Sequence, residues 1–286
     1  VSINISAAHV EMYRSNVIML AQQKGSLLLG TVRNDGSVIG RTVYYERIGG
    51  TAASQITTRH ADTPLTNTLH SRRRAEMTDW DWADLIDDTD RIRTLYDPTN
   101  PYAMNGAWAV GRAVDDVIIS AANGNSYEGQ SGATTTALPS AQKVAVASAG
   151  LTLAKLLNAR ELLDAADVDP DLPRYCALSA KQVTDLLNTT EIKSSDYNTV
   201  KALAQGALDT FMGFKFIRTE RLLKVSTSRF VLCYTHSALG VGMGKDLTVK
   251  IGERPDKRNA TQVYVSASLA ATRIEDAQLV QVACLE

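Results

Sequence analysis

Residues 100–124, NPYAMNGAWAVGRAVDDVIISAANG, read as one long helix with chemically marked ends. Asn100 is placed as the N-cap, Pro101 as a first-turn proline and Gly124 as the C-terminal stop. Between them Met104, Ala107, Trp108, Gly111, Val114, Ile118 and Ala121 recur at three- and four-residue spacings, which gives an apolar stripe along a rod of roughly 34 Å. Arg112, Asp115 and Asp116 interrupt the apolar run, so the rod is expected to lie against a sheet in water and not to span a membrane. A spine of this length forces the rest of the chain to supply a long cover for its stripe. Aspartate in place of Trp108 is accordingly expected to prevent folding.

The segments around the spine suggest where that cover comes from. Residues 1–29 read as an arm with weak helical periodicity ending at Lys24-Gly25. Two strand-like runs, LLLGTV and VIGRTVYYERI, flank Asn34-Asp35-Gly36 and predict a hairpin there. The polar, Thr-rich stretch at 51–71 lies between YYERI and RRRAEMTDWDWADLI. On its far flank Arg72, Arg74, Glu76 and Thr78 alternate with Arg73, Ala75, Met77 and Asp79, so the expected structure is a long two-stranded ribbon with an extended tip. An isolated ribbon is marginal alone and needs a neighbouring molecule to lie on.

After the spine, residues 152–167 form a second amphipathic helix, RYCAL a strand, and Ser179 with Gln182 a capping box opening a helix to Asn188. A short helix near 200–205 follows, with a turn at Met212-Gly213 and the strands GFKFIRT and SRFVLCYT. The C-terminal part is β-rich. Val263, Val265, Ala267 and Leu269 alternate with polar residues, and this closing sheet is the expected partner of the spine. Helices and strands mix without a regular βαβ repeat, which places the chain in the α+β class.

Searching for chemistry gives mostly exclusions. In the run Gly240-Val-Gly-Met-Gly-Lys245, Leu239 stands where a phosphate loop needs glycine and Asp246 where it needs a hydroxyl, so the run is read as a turn or helix end. His60 and His70 are too far apart for a helical metal site and are read as loop histidines. The carboxylates Asp79, Asp81, Asp84, Asp87, Asp88 and Asp90 are read as a solvated or ion-paired face flanked by arginines. Trp80 and Trp82 share one strand face as core or interface anchors. No catalytic constellation, metal site or cofactor motif stands out, so the expectation is that the chain is not an enzyme.

Formal net charge is -1, from 30 basic and 31 acidic residues, which disfavours a dedicated nucleic-acid or membrane binder. Cys176, Cys233 and Cys284 are odd in number and far apart in sequence, as suits a reducing compartment. No lysine occurs between Lys24 and Lys143, although arginine is frequent there. Guanidinium groups suit repeated protein contacts.

The succession of arm, ribbon, spine helix, mixed domain and closing sheet resembles the HK97-like major capsid proteins of tailed bacteriophages over nearly the whole chain. The likeness rests on RHADTPLTNTLHSRRRAEMTDWDWADLIDD, the spine segment, FMGFKFIRT and RIEDAQLVQVACL. It implies an N-arm at 1–29, an extended loop with flanking strands at 30–90, a peripheral domain with the spine at 91–137, an axial domain at 138–244 and closing peripheral strands at 245–286. It also implies self-assembly into hexamers and pentamers around double-stranded DNA, contacted without sequence specificity, in a virion assembled in the bacterial cytoplasm. A separate scaffolding protein, a portal protein and a decoration protein are the further partners implied. The candidates for contact between copies are Arg59, His60, Asp62, Leu65, Leu69, Arg72, Arg73, Arg74, Trp80 and Trp82. Since the extended loop holds no lysine, the isopeptide cross-link of some members is not expected. The alternative within this fold is an encapsulin-like nanocompartment shell.

Overall fold

The computed structural model describes residues 22–59, 62–87, 99–188 and 210–286. Three sheets and three helices form the described body, an α+β arrangement. The first sheet has the order β1-β13-β14-β4, built from Arg33–Ser37, Leu239–Arg254, Ala260–Arg273 and Thr78–Ile86. Helix α1, Thr99–Asn123, packs on it. At 25 residues the helix is about 37 Å long. It begins at Thr99, so Asn100 and Pro101 are already inside its first turn. Its end is where Gly124 was expected to put it: the Gly124 N–H closes on the Ser120 carbonyl at 2.8 Å.

The buried face of α1 is wider than the sequence stripe. Gly111, Val114 and Ile118 are buried as expected, but Val110, Asp115, Ile119 and Ala122 join them, while Met104 is exposed. The helix is covered on two flanks: by the sheet, where Trp82 of β4 and Val265 of β14 press on Gly106, and by the end of the arm, residues 22–28. Trp108 lies on the arm flank, half-buried, with Lys24 Nζ 5.5 Å from its ring centroid. The expectation that a charge at Trp108 abolishes folding is therefore corrected, because that side chain is not in the stripe the sheet covers.

The arm crosses the helix where both backbones are stripped of side chains. A Cβ on Gly111 would sit 2.6 Å from the Gly25 Cα, and Gly25 itself has φ +76°, a conformation that costs other residues energy.

The expected hairpin at Asn34-Asp35-Gly36 is overturned. Residues 29–31 form a 3-10 turn that drives Leu28 and Val32 into the core, each 1% exposed. β1 then pairs in parallel with β13, through Arg33↔Gly240 and Asn34↔Val241. The Asn-Asp-Gly signal is spent on an irregularity inside β1, where Asn34 Oδ1 accepts from the Gly36 N–H at 3.0 Å.

β13 also corrects the reading of residues 240–245, which are strand and not a turn or helix end. Their glycines serve a second layer, a sheet of order β2-β3-β5-β6 from Thr42–Ile48, His70–Glu76, Ser126–Glu128 and Thr134–Thr136. A Cβ at Gly240 would lie 2.6 Å from the Tyr45 ring, and one at Gly242 would lie 2.7 Å from Val43. Only hydrogen at these positions lets the base of β2 seat on β13.

The third sheet contains β7-β15-β12-β8-β10-β9, from Lys143–Val144, Leu279–Leu285, Ser228–Thr235, Arg174–Leu178, Phe214–Arg218 and Thr210–Phe211, with β11 (Lys224–Val225) beside β12. The β-rich C-terminus is thus divided: β14 covers the spine, while β15 pairs with β12. Helix α2, Leu153–Ala165, is capped by Thr152, and α3, Ala180–Leu187, opens on the Ser179/Gln182 capping box. The helix expected near 200–205 lies outside the described residues.

The cysteines, remote in sequence, converge in the core of this sheet. Cys176 and Cys233 are register partners with sulfurs 3.5 Å apart, and Cys284 shares their cluster. Burial pushes the Cys176 thiol up and the Cys284 thiol up to about 12. All three should resist a thiol-specific reagent in the folded protein and react fully in denaturant; rapid labelling without denaturant would contradict this packing.

Candidate assembly surface

The ribbon is β2 paired antiparallel with β3, from Thr42↔Glu76 to Ile48↔His70. One further bond, Gly49 N–H to the Leu69 carbonyl at 2.8 Å, closes it. Its strands alternate as expected: Val43, Tyr45, Arg73 and Ala75 face inward and are buried. Beyond Gly49 the described residues 50–59 and 62–69 have no regular secondary structure, and residues 51–59 and 62–67 are exposed throughout. Ile56 is 90% and Leu65 96% solvent-accessible. Aliphatic side chains held that far out forgo about 1.5–3 kcal/mol each relative to burial.

The contact candidates divide between tip and base. Arg59, Asp62, Leu65 and Leu69 lie along the exposed tip, and His60 lies outside the described residues. Arg72 pairs with Glu46 and stands 5.2 Å over the Tyr44 ring. Arg74 reaches Glu76 and the Ser131 carbonyl. Arg73 is 1% exposed and committed inside the subunit to Asp276 and Glu128. Trp82 is likewise taken up by Gly106 and Val265, whereas Trp80 on the same face is 39% exposed. As a contact to a neighbour, Arg73 is therefore corrected, because its inward-facing register position buries it in its own subunit, while Trp82 is half-buried against the spine. The wider expectation for the arginines shifts with it, since Arg47, Arg72, Arg73, Arg74 and Arg112 all bond within the chain.

Asp115 is the functional residue that pattern reading missed. Its carboxylate accepts from Gln23 Nε2 at 2.5 Å, Ser26 Oγ at 2.5 Å, Leu27 N–H at 3.1 Å and Leu28 N–H at 3.1 Å. Arg112 adds Gln22 Oε1 at 2.8 Å and the Gln23 carbonyl at 3.1 Å. Residues 22–28 are therefore fixed to the spine. The available signal was a carboxylate between Val114 and Ile118, which must either be solvated or be saturated with donors. Asp115→Ala strands those donors and should cost about 3 kcal/mol, read as a lower urea midpoint with unchanged slope; an unchanged midpoint would show that the anchor carries no weight.

The acidic run reads as exposed where described, at Asp79, Asp81, Asp84 and Asp87. Among the described residues, no group of His, Cys, Asp or Glu could hold a metal ion, and no helix is long and apolar enough to cross a membrane.

A family model described as phage capsid protein matches residues 5–286. The chain belongs to the phage capsid protein family. As a phage capsid protein it is a structural component of the virion and not an enzyme, and its fold is HK97-like. The capsid protein of cyanophage P-SCSP1u superposes with a TM-score of 0.76 at 14% identity, covering 99% of this chain and 94% of that one. The capsid of Ralstonia phage GP4 gives 0.76 at 11% identity, covering 97% and 95%. The protein of Mycobacterium phage Che8 gives 0.69 at 14% identity, covering 96% and 97%. At these identities the likeness is one of fold. No curated protein matches the capsid chain in sequence.

Proposed function

We propose that this capsid protein is the major subunit of a tailed-phage head, assembling as hexamers and pentamers into an icosahedral shell around double-stranded DNA. The observation that carries the reading is the ribbon tip, whose Ile56 and Leu65 stand almost wholly in solvent. In a closed shell each tip lies on the next copy, and many modest contacts add up around rings. Within that reading, residues 1–29 are the arm, the ribbon is the extended loop, and α1 with β1, β13, β14 and β4 is the peripheral domain. The seven-stranded sheet with α2 and α3 is the axial domain, and it includes β15.

Formal charge of -1 supports a wall that contacts DNA without sequence preference and does not hold it tightly. With no lysine between Lys24 and Lys143, the shell is held by non-covalent contacts, aided by a decoration protein. Scaffolding and portal proteins complete the set of partners. The family match favours a phage head over a nanocompartment. Electron microscopy of the expressed chain, alone and with its scaffolding protein, tests this: closed shells are expected, and a product that stays monomeric under both conditions would refute it. Shells loaded with a protein cargo would instead point to the nanocompartment.

A further inference from the structure

Where the ribbon meets the body, five charged side chains form one linked cluster. Arg73 Nη2 donates to Asp276 Oδ2 at 2.7 Å and lies 3.2 Å from Glu128 Oε1. Arg47, on the same inner face of the ribbon but on the other strand, donates to that Glu128 oxygen at 2.8 Å and to the Ile274 carbonyl at 3.0 Å. The second Asp276 oxygen takes Arg273 Nε at 2.8 Å. Arg273, fully buried, then spreads over the end of the spine: its Nη1 reaches the Ala121, Ala122 and Gly124 carbonyls, and its Nη2 the Thr136 carbonyl at 3.0 Å. One carboxylate thus joins the guanidinium of the ribbon to the guanidinium that caps the spine helix.

Three arginines against two carboxylates make an unbalanced cluster, and Arg73 keeps Nε and Nη1 buried without a hydrogen-bond partner among the described residues. Apolar side chains of similar volume would hold the ribbon down at least as well, since buried ion clusters recover little beyond their desolvation cost. What such a cluster supplies is direction: planar forks bond only along fixed lines. Two of them, on adjacent strands, satisfy their acceptors at one orientation of the ribbon.

We propose that the Arg47–Arg73 clamp on Asp276 and Glu128 sets the angle at which the ribbon leaves the subunit, and through it the curvature of the assembled shell. Asp276 is the positioning residue that refers this angle to the spine. The inference rests on the capsid reading above, in which the ribbon tip lands on the next copy. A ribbon aimed a few degrees wrong reaches that copy at a different tilt, and closed shells of another size result.

The test compares shells from the native chain with those from Asp276→Asn, Asp276→Glu, Glu128→Gln and Leu156→Ala, the last a core truncation remote from the clamp. Asp276→Asn should fold, exchange its β3 amides about tenfold faster, and lose the single shell diameter of the native chain. Asp276→Glu, which keeps the charge, should restore one diameter. Glu128→Gln leaves the Arg273 helix cap intact and should also broaden the diameters, so it decides the matter if Asp276→Asn does not fold. Leu156→Ala should keep one diameter despite its lower stability. Native diameters from both clamp variants that fold, or equal broadening from Leu156→Ala, would overturn the proposal. No shells even from the native chain would overturn the capsid reading itself.

Discussion

Replacing residues 50–68 with an Asn-Gly turn is expected to leave a capsid subunit that folds and melts like the full chain but forms no closed shells. The excision is drawn to end at 68 and not at Ser71, because Ser71 belongs to β3 and its Oγ accepts from Arg47 Nε at 3.1 Å. Gly49 and Leu69 are the last bonded pair of the ribbon, so a two-residue turn closes it in the conformation that such loops favour. Among the described residues nothing buried is removed, with Ile56 and Leu65 90% and 96% exposed, and the melting temperature should move by no more than about 3 °C. Each copy does lose the burial of two aliphatic side chains on its neighbour, about 4 kcal/mol or roughly a thousandfold in contact affinity. Sedimentation of the excised protein should show subunits or small rings only. Shells in native yield would mean that the tip is ornamental.

Val114→Asp should have the opposite phenotype, loss of the subunit itself. Val114 is 6% exposed in the cluster that joins α1 to β13 and β14. A carboxylate there costs about 4–5 kcal/mol before any rearrangement, a large share of what a domain has to spend. The expected result is insoluble protein, or a soluble form without a cooperative melt. Trp108→Asp should stay soluble, because Trp108 lies on the arm flank beside Lys24, where a new carboxylate meets a cation. The pair of variants distinguishes the buried face from the flank: equal loss of soluble protein in both would show that the arm flank is as closed as the sheet flank.

Much of this architecture was legible in local pattern. The spine, the Ser179/Gln182 capping box, the alternation along β14 and the inward face of β3 follow from side-chain periodicity, which short-range geometry enforces. What escaped were pairings decided at a distance. Asn34-Asp35-Gly36 is a strong turn signal, yet β1 found β13 some two hundred residues away because Leu28 and Val32 had to be buried first. Gly240 and Gly242 resembled a loop because nothing local announces that Tyr45 and Val43 will press on them. Asp115 read only as a break in the apolar run and Arg73 as a contact between copies, because their partners, Gln23 to Leu28 and Asp276, lie far along the chain. A charge is assigned to water by default, and only its complete set of donors or acceptors shows otherwise. At the assembly surface the composition of the tip was readable, but the inward commitment of the Arg73 guanidinium was not.

Hydrogen exchange of the ribbon tip, before and after assembly, puts the claim that identical copies complete one another to its most direct trial. In free subunits the amides between residues 51 and 69 should exchange at close to the rates of an unstructured peptide. In closed shells the same amides should slow by at least about a hundredfold, while those of β14 stay protected in both states. Equal rates in both states, or protection already present in the free subunit, would contradict the account.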